Sequence, residues 1–206
     1  MTTTVQTTDR RQRTAIGAAG LGAVLAYAGA VLSFPDPLGG SGTAAEAARR
    51  LEGTAVDRAV LLVGVYVLLA AVVVAALTAA LPDRSAARRM VPALGVAHLF
   101  LFALSAAGLG AARAVGKIFD GVSPAALEAG LVLMNAAFPL AQWAGAALGV
   151  AVFVASRSAD RVLRGLGVTA AVIAVGLLVP PVAWIVLYLA PVWFAGTGVL
   201  LAVRNH

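Results

Sequence analysis

Cysteine is missing from all 206 residues, which excludes disulfides, thiolate metal sites and cysteine nucleophiles. Lysine occurs once, at Lys117, among 15 basic residues. Charge is scarce altogether, at 12% of residues, where soluble domains carry about 25%. Catalytic signatures are missing as well. There is no HExxH zinc pair, no phosphate loop ending in GK[ST] and no nucleophile elbow, and Gly39-Gly40-Ser41-Gly42 reads as a plain flexible loop. The expectation is a non-enzymatic protein with no cofactor and no metal.

What the chain does have is apolar length. Hydrophobic residues make up 61% of it, and the mean hydropathy is +0.95. Charge-free stretches run over 14–35, 59–82, 90–112, 129–156 and 165–203. A spanning helix needs roughly 20 apolar residues to cross about 30 Å of hydrocarbon. The first four stretches each suit one crossing. The fifth, 39 residues long, would give a helix of about 58 Å. Pro180-Pro181 interrupts it, removing two backbone donors, so two spans joined by a very short connection are expected. The predicted fold is therefore all-α, a polytopic transmembrane helix bundle of six spans. These lie at about 14–34, 57–81, 90–112, 125–155, 162–179 and 182–203, after a cytoplasmic tail at 1–13, disordered over its threonine-rich residues 1–9, and with an outer loop at 35–56.

Orientation follows from the arginines. With the N-terminus inside, ten basic residues fall in cytoplasmic segments, among them Arg10, Arg11, Arg13, Arg84, Arg88 and Arg89. Five fall outside: Arg49, Arg50, Arg58, Arg113 and Lys117. Three acids lie inside and six outside, so every cytoplasmic segment is net basic and no outer one is. This predicts both termini in the cytoplasm, and the Ala-, Gly-, Val- and Arg-rich usage suggests a bacterial source and so a bacterial cell membrane. The placement of charge also accounts for the net charge of +6 without a nucleic-acid partner. Arg10–Arg13 before an apolar run could be mistaken for a secretory leader, but the run exceeds the 7–15 residues of a leader core, so a retained first helix is expected.

Connections carry local signals. In the outer loop, Thr43 with Glu46 forms a capping box, Gly53 a stop, and Thr54 with Asp57 a second cap, giving a short surface helix at 44–52. Ser123-Pro124 reads as an N-cap followed by proline at the first helical position.

No Asp, Glu, Lys or Arg lies deep in any span, so polar interest falls on neutral groups. His98 and Ser105 share a face of span three, and Glu128, Asn135 and Gln142 share a stripe of span four. In an antiparallel pair these stripes would meet at three depths: His98 with Gln142, Ser105 with Asn135, and Arg113 with Glu128 as an outer ion pair. Pro139 cannot donate to the carbonyl of Asn135, which predicts a kink and a free acceptor there. Such a set serves interhelical hydrogen bonding, a cavity for a small solute or lipid, or a proton relay through His98. A serine hydrolase is disfavoured, because Ser105 and His98 stand about 10 Å apart on one helix. Ala137, Ala141, Gly145 and Gly149 form a small-residue repeat for close packing, within the bundle or against a second copy or membrane partner. Trp143, Trp184, Trp193, Tyr27, Tyr66 and Tyr188 read as interface anchors or packing groups.

The layout resembles uncharacterised six-helix membrane proteins of bacteria grouped as domains of unknown function. The similarity lies in Asp36-Pro37 after span one, Leu81-Pro82-Asp83-Arg84 at the end of span two, and Pro191-Val192-Trp193 in the last helix. It covers most of the chain and implies no activity.

Reporters fused after Ala86, Gly121 and His206 should read inside, outside and inside. An external signal at His206 overturns the six-span arrangement.

Overall fold

The computed structural model of the chain describes residues 3–33, 54–82, 86–119, 121 and 123–204. Among them are six helices and no strand: α1 (Thr3–Ser33), α2 (Thr54–Ala80), α3 (Ala86–Ile118), α4 (Pro124–Ser156), α5 (Arg161–Leu178) and α6 (Pro180–Val203). Five are long and apolar enough to cross a membrane, α1 over Arg10–Ser33 and α2 to α5 over nearly their full lengths. α6 has 24 residues, about 36 Å of helix. The expected surface helix at 44–52 lies outside the described residues. One expectation is corrected: most of the N-terminal tail is not irregular, since α1 begins at Thr3, well ahead of the apolar run. Once a helix is nucleated by the apolar segment, each added residue gains a hydrogen bond at little cost, so it extends past the lipid-facing part.

Helix ends follow from local chemistry. Ser123 is extended and accepts from the N–H of Ala126 at 3.1 Å, with Pro124 at the first helical position of α4. Gly121, at φ 141°, turns the chain between α3 and α4, a conformation that side chains with a Cβ rarely adopt. Asp160 caps α5 by accepting from Val162 and Leu163 at 2.9 and 3.1 Å. The Leu163 N–H bond holds its carboxyl below the usual carboxylate range, and Arg204 adds to the effect. α5 and α6 are joined by a single extended residue, Val179 (φ −98°, ψ 101°). The ring of Pro180 disfavours the helical conformation in the residue before it and suits the first position of the next helix.

The helices close into a ring. α1 packs on α2 and α6, α3 on α2 and α4, and α5 on α4 and α6, while α2 reaches across to α6. The α3–α4 interface is the most extensive. In lipid there is no hydrophobic drive between helices, so close van der Waals approach must hold them. Glycines supply it. A Cβ on Gly108 of α3 would stand 2.5 Å from the carbonyl oxygen of Gly130 on α4, and one on Gly130 would stand 2.7 Å from that of Gly108. Gly20 and Gly198 bring α1 and α6 into backbone contact, and Gly149 of α4 lies against the carbonyl of Ala170 on α5. The small-residue repeat of α4 is spent inside the bundle, with Ala137, Ala141 and Gly149 buried. At one end of the ring Arg204 pairs with Asp160, and Arg13 donates to the Arg204 carbonyl at 3.2 Å, which ties α1, α5 and α6 together.

Replacing Gly108 with Val should cost about 1–3 kcal/mol by overpacking against a backbone that cannot yield. Gly64 has open space where a Cβ would go. Gly64→Ala should therefore gain about 0.5–1 kcal/mol of helix propensity. Thermal unfolding in detergent reads both, and equal effects at the two sites would sink the close-approach account.

Candidate functional site

The polar residues of α3 and α4 do not meet as two facing stripes. His98 and Ser105 are buried, as their shared face suggested. Asn135 is exposed on the outer surface of α4 and donates from its Nδ2 to its own helix, at the carbonyl of Leu131, 2.8 Å away. Ser105 likewise donates to its own helix, at the Phe102 carbonyl, 2.7 Å away. Gln142 is half-buried on the side of Asn135. The reason is a contest of faces. The face that α4 turns to α3 is set by Gly130, Ala137 and Ala141, and Asn135 lies about 140° round the helix from Gly130 at 100° per residue. Backbone approach through small residues wins, and the amide satisfies itself locally. At Gly108 and Gly130 the two helices meet backbone to backbone, which leaves no room there for a polar cavity between α3 and α4.

The outer ion pair is also corrected. Glu128 lies on the same outward stripe and is exposed, while Arg113 is half-buried with its Nε lacking a hydrogen-bond partner. The pair that forms at this end is Lys117 of α3 with Asp57 of α2, at 2.6 Å. α4 nevertheless runs on as one helix through Pro139, whose side is exposed.

His98 does cross to α4, though to the backbone. Its Nδ1 lies 2.8 Å from the carbonyl oxygen of Ala141, one residue short of the expected Gln142. A carbonyl only accepts, so Nδ1 carries the proton and donates. In a neutral ring Nε2 then bears the lone pair. Gly145, one turn on, makes room for the ring: a Cβ there would stand 2.9 Å from Nδ1 and 3.1 Å from Cε1. With its Nδ1 edge against α4, the imidazole lines a partly open cavity of about 30 Å³. The walls are Gly145 and Leu148 of α4, Ala170 and Ile173 of α5, and Trp193 and Phe194 of α6. Phe194 stacks on His98 with ring centroids 6.5 Å apart and planes 27° from parallel. Trp193 commits its Nε1 to α5, donating toward the Leu166 carbonyl at 3.3 Å and Thr169 Oγ1 at 3.1 Å.

An aromatic cluster leads away from the cavity through the core. Phe194 meets Tyr66 at 6.4 Å, and Tyr66 meets Phe102 and Tyr27 at 5.4 Å each. Tyr27, Tyr66 and Trp193 are thus packing groups, whereas Trp143 faces outward at 65% exposure. The side chain of Trp184 lies outside those described. Among the described residues no cluster of three or more His, Asp or Glu could hold a metal ion.

The site residues that sequence reasoning missed are Gly145, Trp193 and Phe194. Gly145 was visible only as one member of a packing repeat. Nothing in the sequence linked α6 to His98, because that link needs the ring to close.

Gly145→Ala should displace the imidazole and cost about 1–3 kcal/mol, the magnitude of a buried polar group losing its partner. That cost should shrink once His98→Ala has emptied the space, a coupling a double-mutant cycle measures. Additive losses would show that the two residues do not act through one contact.

No family model, curated protein or solved structure matches this chain, so its function rests on the geometry just described.

Proposed function

We propose that the chain is a six-span protein of a bacterial cell membrane, with both termini in the cytoplasm, acting as a non-enzymatic binding component. Its ligand site is the cavity beneath His98. The orientation is supported by the ten-to-five split of basic residues, and the sixth span by the 24-residue length of α6. One observation carries the binding role. A buried imidazole, with its Nδ1 engaged by the Ala141 carbonyl, lines an otherwise apolar cavity. Buried polar atoms are nearly always paired, and more so in hydrocarbon, where no bulk water is at hand. The interhelical bond alone would be served by a donor with no second polar atom.

Native mass spectrometry of the protein released from lipid nanodiscs tests the role. The wild type should retain a small apolar ligand that His98→Phe loses, since phenylalanine fills the ring position without the lone pair. If neither sample carries a ligand and the substitution only lowers the unfolding temperature, the histidine is a structural tie and the binding role fails.

A further inference from the structure

We infer that the cavity takes the hydroxyl group of a lipid-dissolved alcohol or phenol, which donates its proton to His98 Nε2 and enters sideways from the hydrocarbon. This deepens the binding role proposed above and rests on it.

The chemistry is settled by what the walls offer. Nδ1 is occupied by the Ala141 carbonyl, and the Nε1 of Trp193 by Leu166 and Thr169. The other lining side chains are aliphatic or phenyl. On this inference Nε2 is the one acceptor that the cavity presents, since Nδ1 and the Trp193 Nε1 are engaged and the remaining walls are apolar. An anion finds no donor there. A metal ion would find one nitrogen where protein sites supply three or four ligands. A buried water makes about three hydrogen bonds and would find a single partner. A hydroxyl on an apolar body matches, because its proton meets the lone pair and its carbon side meets the walls.

Size and access agree. A volume of about 30 Å³ admits one water-sized group and excludes a porphyrin or a whole ring system. The body of the ligand must then lie in the mouth. The lining residues that remain partly exposed are Gly145 of α4, Ile173 of α5 and Trp193 of α6, and the route inferred for the ligand passes Ile173 and Trp193. Around it Val172, Val175, Leu189 and Val192 face outward at 68, 64, 48 and 55% exposure. At this depth the outward surface meets acyl chains, so a ligand reaches the mouth from the lipid and not from water.

The test uses the His206→Ala variant, which leaves His98 as the sole histidine for ¹⁵N labelling, in lipid nanodiscs with 1-dodecanol or its methyl ether as probe. The alcohol should shift the Nε2 resonance saturably and bind about tenfold more tightly than the ether, the scale of one buried hydrogen bond. The ether should leave Nε2 unmoved, and His98→Leu should erase the preference. If both probes raise the unfolding temperature equally with no Nε2 shift, the hydroxyl specificity is overturned while the cavity keeps its binding role. If neither probe shifts Nε2 or the unfolding temperature, both readings are overturned.

Discussion

Backbone-to-backbone approach at glycine is the constraint on which the rest of this bundle depends. Lipid tails are as apolar as leucine, so burying leucine between helices gains little over leaving it in the membrane. What remains is close contact, and it is available only where a Cβ is missing. Gly108 and Gly130 fix α3 against α4, Gly20 and Gly198 fix α1 against α6, and Gly149 seats α4 on Ala170. These contacts lie at three of the six interfaces of the ring, so they fix its neighbours as well as its spacing. The polar groups then had to fit a geometry already decided. Asn135 was turned outward by the face that Gly130 and Ala137 selected, and it closed its hydrogen bond on Leu131.

The helix pattern was legible because it rests on the length of uncharged apolar stretches, five of which give helices long enough to cross a membrane. The expected bounds match α2, α4, α5 and α6 to within three residues, while α1 and α3 run further beyond their uncharged stretches, and Pro180-Pro181 marked the break before α6 at a single extended residue. Ser123-Pro124 marked the start of α4, since a cap is a local event that needs no tertiary information. Depth was legible too: His98 was expected opposite Gln142 and bonds to Ala141 next to it. Rotation was not legible. Two stripes on α4 competed for the interface, one polar and one small, and the sequence shows both without showing which wins. The partners of Arg113 and Glu128 were misjudged for the same reason, since Glu128 lies on the losing stripe.

The cavity could not be read from one helix pair because four helices build it. Gly145 on α4 lets the imidazole approach, Ala170 and Ile173 on α5 form one wall, and Trp193 and Phe194 on α6 form another. The α6 wall meets α3 and α4 only after the chain has travelled round the ring. Asp160, Arg204 and Arg13 fasten that closure at one end, joining the start of α5, the end of α6 and the first helix. Weakening this fastening would loosen one end of the α5–α6 seam, which Trp193 ties again at Leu166 and Thr169.

Interhelical tie and ligand site are usually weighed as rivals for a polar group inside a membrane, yet an imidazole can be both. Its two nitrogens point apart on a rigid ring, and in the neutral form one donates while the other accepts. Donation to Ala141 fixes the orientation, as an outer partner fixes a ligating histidine elsewhere. The ring so held stacks on Phe194 of α6 and lines the cavity together with Ala170 and Ile173 of α5. A serine at this position could rotate its hydroxyl back to its own helix, as Ser105 does, and an asparagine could do the same, as Asn135 does. Histidine reaches past its own backbone, and Gly145 leaves the gap through which it reaches. The pairing of a side chain that cannot satisfy itself locally with a neighbour that has none is what makes this cavity chemically addressable.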